Sequence, residues 1–311
     1  MNSGYVYRDR VKPESAGTSV LDYHAARFVH STNEQWAVSL AEGRVRVNGR
    51  AAAAEDLLRA GDELEYHRAP WCEPEAPLEF AVVFEDEEVL VVSKPAGLQV
   101  LPAGPFFEST LLHLVRSSDA TRANASPIHR LGRGTSGLIL FGKREAARAE
   151  LSRQFRAFEP RKTYLALAQG TALPVSVIAR HPILRVPHGP MHIHVAHPTG
   201  KTAFTRLRVL RRDFERDCSL VAAQPITGRA DQIRVHLAAL GAPIVGDPLF
   251  GPGGQAKSDA KPGDGGYFLH AAALSFVHPR TQRWIKLRSA PAWLDLAEAS
   301  LAPSPTFRKR V

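Results

Sequence analysis

Apolar residues recur at helical spacing in two short stretches near the start of the chain, Val20 to Val29 and Trp36 to Leu40. They predict two helices. The period then changes. Arg44-Val45-Arg46-Val47 alternates as a half-buried strand does, and Asn48-Gly49 is a hairpin turn signal. Gly61-Asp62 marks a second turn before the strand Glu63-Leu64-Glu65-Tyr66. These elements predict a compact unit over 18–70. A polar, irregular stretch, 1–17, reads as an arm before it, and a Pro- and Glu-containing linker, 71–77, follows it.

Beyond the linker the apolar runs become longer. Val89-Leu90-Val91-Val92 predicts a buried strand ended by the turn Lys94-Pro95-Ala96-Gly97, and Leu138-Ile139-Leu140-Phe141 predicts another. Glu145 to Arg156 has Ala147, Leu151 and Phe155 on one helical face. Tyr164 to Leu167 and Ser219 to Ala223 read as strands. Asp231 to Leu240 reads as a helix capped by Gly241 and blocked by Pro243. This large domain spans 78–300. Within it, 252–266 is low in complexity and predicts a mobile loop. Residues 301–311 form a basic tail read as disordered.

Composition adds a partner class. The chain has 311 residues, enough for two domains, and 40 Lys and Arg against 31 Asp and Glu give a net charge of +9. Such a balance favours nucleic acid over a neutral ligand. Cys72 and Cys218, the two cysteines, form neither a disulfide framework nor a CxxC metal site. No apolar stretch is long enough to span a bilayer, and the N-terminus lacks the apolar core of a secretory signal. The expectation is a cytoplasmic monomer.

Gly132, Gly134 and Gly137 spell GxGxxG, but they precede a strand instead of following one and opening a helix, so a dinucleotide site does not follow. The fuller string, Ile128-His129-Arg130-Leu131-Gly132-Arg133-Gly134-Thr135-Ser136-Gly137, resembles the central HRLDxxTSG motif of RluA-type pseudouridine synthases. The resemblance continues in order through VVSKPAGLQV (91–100), RKTYLALAQG (161–170), GKTAFTRLRVL (200–210), TGRADQIRVHLAALGAPIVGDPLFG (227–251) and FLHAAALSFVHP (268–279). Over 18–70, GRVRVNG and AGDELEY resemble the alpha-L RNA-binding motif domain that often precedes such synthases.

The resemblance implies an α+β catalytic domain. Its sheet is mixed and mostly antiparallel, flanked by helices and opened by a central cleft, and a small N-terminal α+β RNA-binding domain precedes it. It implies isomerisation of uridine in structured RNA, tRNA or rRNA, without a cofactor. The nucleotide is flipped out of the RNA because its glycosidic bond is inaccessible in a stack. Tyr164 then matches the aromatic ring that stacks on the base, and Arg234 the arginine that pairs with the catalytic carboxylate. His129 and Arg130 would hold the flipped nucleotide. Lys94, Arg133, Thr135, Arg161 and Lys162 join the RNA-binding set. Arg206 and Arg208, alternating on one strand, would meet phosphates.

At the centre of this plan the family's catalytic aspartate is replaced by Gly132, which offers no side chain to act as nucleophile or base. Asp231 stands where the family's arginine motif usually has histidine, three residues before Arg234. On a helix the two share a face, so Asp231 is a candidate catalytic carboxylate; as an ordinary N-terminal residue it would merely cap its helix. Two function classes remain, an active synthase and a catalytically inactive RNA-binding protein on a synthase scaffold. A metal-dependent hydrolase built on His181, His188, His192, His194 and His197 is remote, because no Cys, Asp or Glu stands among them; no metal is expected.

Overall fold

The computed structural model describes residues 1–28, 31–189, 191–254, 256–257 and 266–294. The tail at 301–311, most of the low-complexity loop and the predicted helix end at Val29 lie outside the described residues. The chain forms two units, 1–74 and 75–311.

In the first unit the helices Val20–Arg27 and Asn33–Ala41 pack on a four-stranded antiparallel sheet, in the order Tyr5–Arg10, Glu63–Arg68, Val45–Val47, Arg50–Ala51. Ser19 caps the first helix by accepting from the amide of Asp22. Thr32 and Gln35 form a reciprocal capping box on the second. Asn48 and Gly49 both have positive φ, 48° and 78°, as a two-residue hairpin turn requires. Val20, Tyr23, Trp36, Leu40, Val45, Leu58 and Leu64 make the core.

Two boundaries drawn from the sequence need correction. Residues 1–17 are not an arm, since Tyr5–Arg10 is an edge strand paired residue for residue with Glu63–Arg68. The polar pattern misleads because an edge strand of a small sheet is half solvated, and only two of its six residues are even partly buried. Residues 71–74 are not free linker either. Asn2 and Trp71 exchange hydrogen bonds, Asn2 Nδ2 donates to Glu73, and the Arg68 guanidinium lies 3.6 Å over the Trp71 ring.

The second unit is a ten-stranded sheet. Its main path runs Ser176–Ala179, Thr205–Asp213, Cys218–Pro225, Arg161–Gln169, Leu269–Val277, Ser136–Gly142, Val89–Lys94, Ala81–Glu85. Pairing is antiparallel except where Leu269–Val277 meets Ser136–Gly142 in parallel, through His270 opposite Ser136 and Ala271 opposite Gly137. The continuous apolar runs have a direct reason. Leu90, Val92, Ile139 and Phe141 pack on one side of the sheet with Leu111 and Val115. Val89, Val91, Leu138 and Leu140 pack on the other with Leu151 and Phe276. Strands covered on both faces have no polar alternation. Each such side chain contributes about 1.5–3 kcal/mol on burial.

Leu269–Val277 is the seam of the sheet. It lies between Arg161–Gln169 on one side and Ser136–Gly142 on the other, so two half-sheets meet only through it. Gly137 makes the crossing possible: its φ is +107°, and a Cβ there would lie 2.4 Å from the carbonyl oxygen of Ala271. The helices Leu111–Ser118, Glu145–Arg156 and Gln232–Ala239 flank the sheet, and a separate hairpin pairs Ile183–His188 with Met191–Ala196.

Candidate active site

The motif loop, the strand Arg161–Gln169, the segment leading into Gln232–Ala239 and the hairpin at Met191–Ala196 surround one cleft of about 920 Å³. That volume lies in the range of small-ligand sites. Gly132, His129, Arg130, Arg133, Lys162, Tyr164, Asp231 and Arg234 all line it. Segments distant in sequence thus meet at one place.

Asp231 does not cap its helix. It sits at the N-cap position with a left-handed backbone, φ 53° and ψ 13°, and its side chain makes no capping hydrogen bond. Aspartate tolerates this region better than most residues, at a cost of about 1 kcal/mol or more. Its carboxylate instead accepts from Arg234 Nη1 at 2.9 Å and lies 3.4 Å from Nδ1 of His194, with 28% of the side chain still exposed. Burial works to raise its pKa. The hydrogen bond from His194 and the charge of Arg234 outweigh burial and hold the carboxyl below its ordinary value.

Arg234 is the hub. Nε and Nη2 donate to the two oxygens of Asp247, each at 2.8 Å, while Nη1 serves Asp231. The guanidinium lies 4.3 Å from the ring of Tyr267 and 5.0 Å from that of Phe250. Burial disfavours its charge, but Asp247 and Asp231 overcome this and raise its pKa. Asp247 in turn accepts from the amides of Leu249 and Phe250, which fixes the turn after the helix.

Tyr164 stands on a central strand, opposite Ala223 on one side and Ala271 on the other. Burial pushes its phenol up to about 12, so it is neutral and a hydrogen-bond donor at physiological pH.

Several residues assigned to RNA contact have structural tasks. Lys94 is 1% exposed and donates to the carbonyls of Pro95, Leu98 and Arg133, so it pins the motif loop and does not reach RNA. His129 stacks on Phe155 at 4.8 Å, and its Nε2 accepts the amide of Leu140. Burial, with the nearby charge of Lys162, lowers its pKa to about 3, so it is neutral where it lines the cleft. Thr135 is buried against the Tyr267 hydroxyl at 3.0 Å. In each case a motif residue that looks polar in sequence is spent on shaping the loop. Arg130 is exposed, Arg133 lies 5.3 Å from the Phe106 ring, and Lys162 lies 5.5 Å from that of Phe155; all three border the cleft. Arg161, Arg206 and Arg208 are exposed but do not line it.

Three residues escaped sequence reasoning. Asp247 and Tyr267 carry no signal beyond being polar residues in loops, and His194 was visible only as one of a histidine group. His192 and His194 do share the cleft, as strand alternation suggests, but His194 faces Asp231. Among the described residues no cluster of His, Cys, Asp and Glu is arranged for a metal ion.

The profile of the RNA pseudouridylate synthase family matches residues 88–239. An uncharacterised RNA pseudouridine synthase of Synechocystis sp. is 40% identical over 271 residues, 86% of this chain and 92% of its own length. The chain belongs to the RluA-type RNA pseudouridine synthases. The synthase is also 33% identical over 273 residues to ribosomal large subunit pseudouridine synthase C of Vibrio cholerae, covering 84% of this chain and 85% of that one. Its fold matches that of human RNA Pseudouridylate Synthase Domain Containing 1 with a TM-score of 0.58 at 26% identity, over 72% of this chain and 88% of the human one. The synthase is therefore an isomerase whose substrate is RNA. No helix among its described residues is long and apolar enough to cross a membrane.

Proposed function

We propose that this synthase converts uridine to pseudouridine in structured RNA, ribosomal or transfer, with Asp231 supplying the carboxylate missing at Gly132. The observation that carries this reading is the Asp231 carboxylate itself. It stands in the cleft beside Gly132's loop, ionised by Arg234 and His194 and not consumed by its own helix. A carboxylate so held is ready to attack or to take a proton at neutral pH. The isomerisation needs nothing else in its balance. The C1′–N1 bond breaks, uracil turns and rejoins through C5, C5 gives up its hydrogen as a proton, and N1 ends protonated. Arg234 keeps the carboxylate charged, and Tyr164 supplies a face for the flipped base.

Gly132 keeps one rival alive, an inactive RNA-binding protein on the same scaffold. Mass-spectrometric mapping of pseudouridine in cellular RNA with and without the gene separates them. One or more sites should vanish with the gene and return when the purified protein is added. If none does, the rival holds.

Two further outcomes are expected. With a net charge of +9 and arginines 206 and 208 exposed beyond the cleft, log affinity for structured RNA should fall linearly with log salt. A flat plot excludes phosphate contact as the source of affinity. Tyr164→Ala should cost about 1–3 kcal/mol of stacking on the flipped base, whereas Tyr164→Phe keeps the ring. Equal binding and turnover in the alanine variant would remove Tyr164 from the base site.

A further inference from the structure

Gly132 has no left-handed φ, so its backbone does not demand glycine. The space beside it is nevertheless taken. An ideal Cβ at 132 would lie 3.0 Å from the hydroxyl oxygen of Tyr267, and 3.6 Å from that of Thr135. The first contact is some tenths of an ångström too short for comfort, before any carboxyl group is added. Tyr267 is itself firmly held. It is 5% exposed, its hydroxyl bonds to Thr135 at 3.0 Å, and its ring lies 4.3 Å from the Arg234 guanidinium. One side chain therefore touches the motif loop at one end and the cation of Asp231 at the other.

We propose that Tyr267 is a positioning residue that fills the room left by Gly132, its hydroxyl fixing Thr135 and its ring fixing Arg234, so that Asp231 presents the carboxylate. The inference rests on the reading of Asp231 above and adds a condition to it. A carboxylate at 132 and the tyrosine hydroxyl at 267 compete for the same room, since a Cβ at 132 already requires that hydroxyl to give by a few tenths of an ångström. Arg234 is already committed to Asp247 through Nε and Nη2, and the ring decides how its remaining Nη1 meets Asp231. Loss of the ring frees the guanidinium to move, and a displacement of about 1 Å at a reacting group costs up to about a hundredfold in rate.

The test follows tritium release from total RNA labelled with [5-³H]uridine in cells lacking the gene, beside filter-binding affinity for the same RNA. Y267A should turn over at least about thirtyfold more slowly with affinity within about twofold, and Y267F should fall between it and wild type. The acid limb of the pH–rate profile should move up in Y267A, because Asp231 loses part of the cation that keeps it ionised. A merely structural role would leave that limb in place. In the second arm, D231N/G132D should be inactive, and adding Y267F should raise its rate at least about tenfold by clearing room for the new carboxylate. The Y267F variants, which keep the ring, decide the matter if Y267A does not fold. An unshifted acid limb with wild-type turnover in Y267A overturns the proposal, and so does a D231N/G132D enzyme as active as the triple variant. Full activity of D231N alone is a different failure: it removes the Asp231 reading, and this proposal with it.

Discussion

Asp231→Asn should abolish pseudouridine formation, by at least about a hundredfold, while RNA affinity stays within about twofold. That range is what a positioned acid, base or nucleophile contributes. The substitution keeps the side chain's shape, and asparagine is at home in the left-handed backbone found there. Arg234 retains both bonds to Asp247 and gains an amide oxygen in place of a carboxylate oxygen. A loss of activity without loss of folding therefore reports on charge. The pH dependence follows the same logic. The folded-state pKa of Asp231 is depressed, so the carboxylate remains ionised as pH falls through the ordinary range and activity is lost only below it. Measured turnover of the asparagine variant at the wild-type level, or an acid limb at ordinary carboxyl values or above, contradicts this account.

Arg234→Met should unfold the catalytic unit more easily by about 3–5 kcal/mol, a fall of about 6–20 °C in its melting midpoint. The magnitude comes from what is left behind. Asp247 has a side chain only 1% exposed and would keep two backbone amides but lose its cation. Asp231, with access to solvent, would suffer less and would regain a higher pKa. Calorimetry of the variant checks this. A shift under about 2 °C would mean that water or another cation satisfies Asp247. Arg234→Lys should recover little, since an ammonium group cannot bind both oxygens of Asp247 and reach Asp231 at once.

The large domain was legible wherever burial makes an unmistakable pattern. Val89 to Val92 and Leu138 to Phe141 are apolar throughout because both faces are covered, and Glu145–Arg156 begins and ends where its amphipathic stripe does. Tyr5–Arg10 was not legible, since a half-solvated edge strand without apolar alternation resembles a loop. At the site, the motifs fixed which segments meet but not what each side chain does there. Lys94 looks like an RNA contact until its burial and partners are seen, because burial is a tertiary property that a short string does not carry. Asp231 could be singled out as an acid one turn from an arginine, but its escape from capping depends on a single left-handed residue that spacing cannot reveal. Tyr267 was invisible for the opposite reason: its meaning lies in the absence of a side chain at Gly132.

The seam strand Leu269–Val277 also sets a time at which this enzyme can first exist. Ribosomes deliver the chain from its N-terminus, at about 5–20 residues per second. Until residues near 277 have emerged, each half-sheet lacks a partner along part of its inner edge, at Ser136 and Gly137 in one and from Arg161 to Ala166 in the other. Neither half owns the cleft, for Gly132 precedes one edge and Tyr164 lies on the other. A nascent chain therefore has its motifs translated long before it has a place to hold a nucleotide. Pairing across so large a sequence separation is slow to form. Modification must await the emergence of the seam strand, and the edges it will cover are where a chain stalled or truncated before it would aggregate.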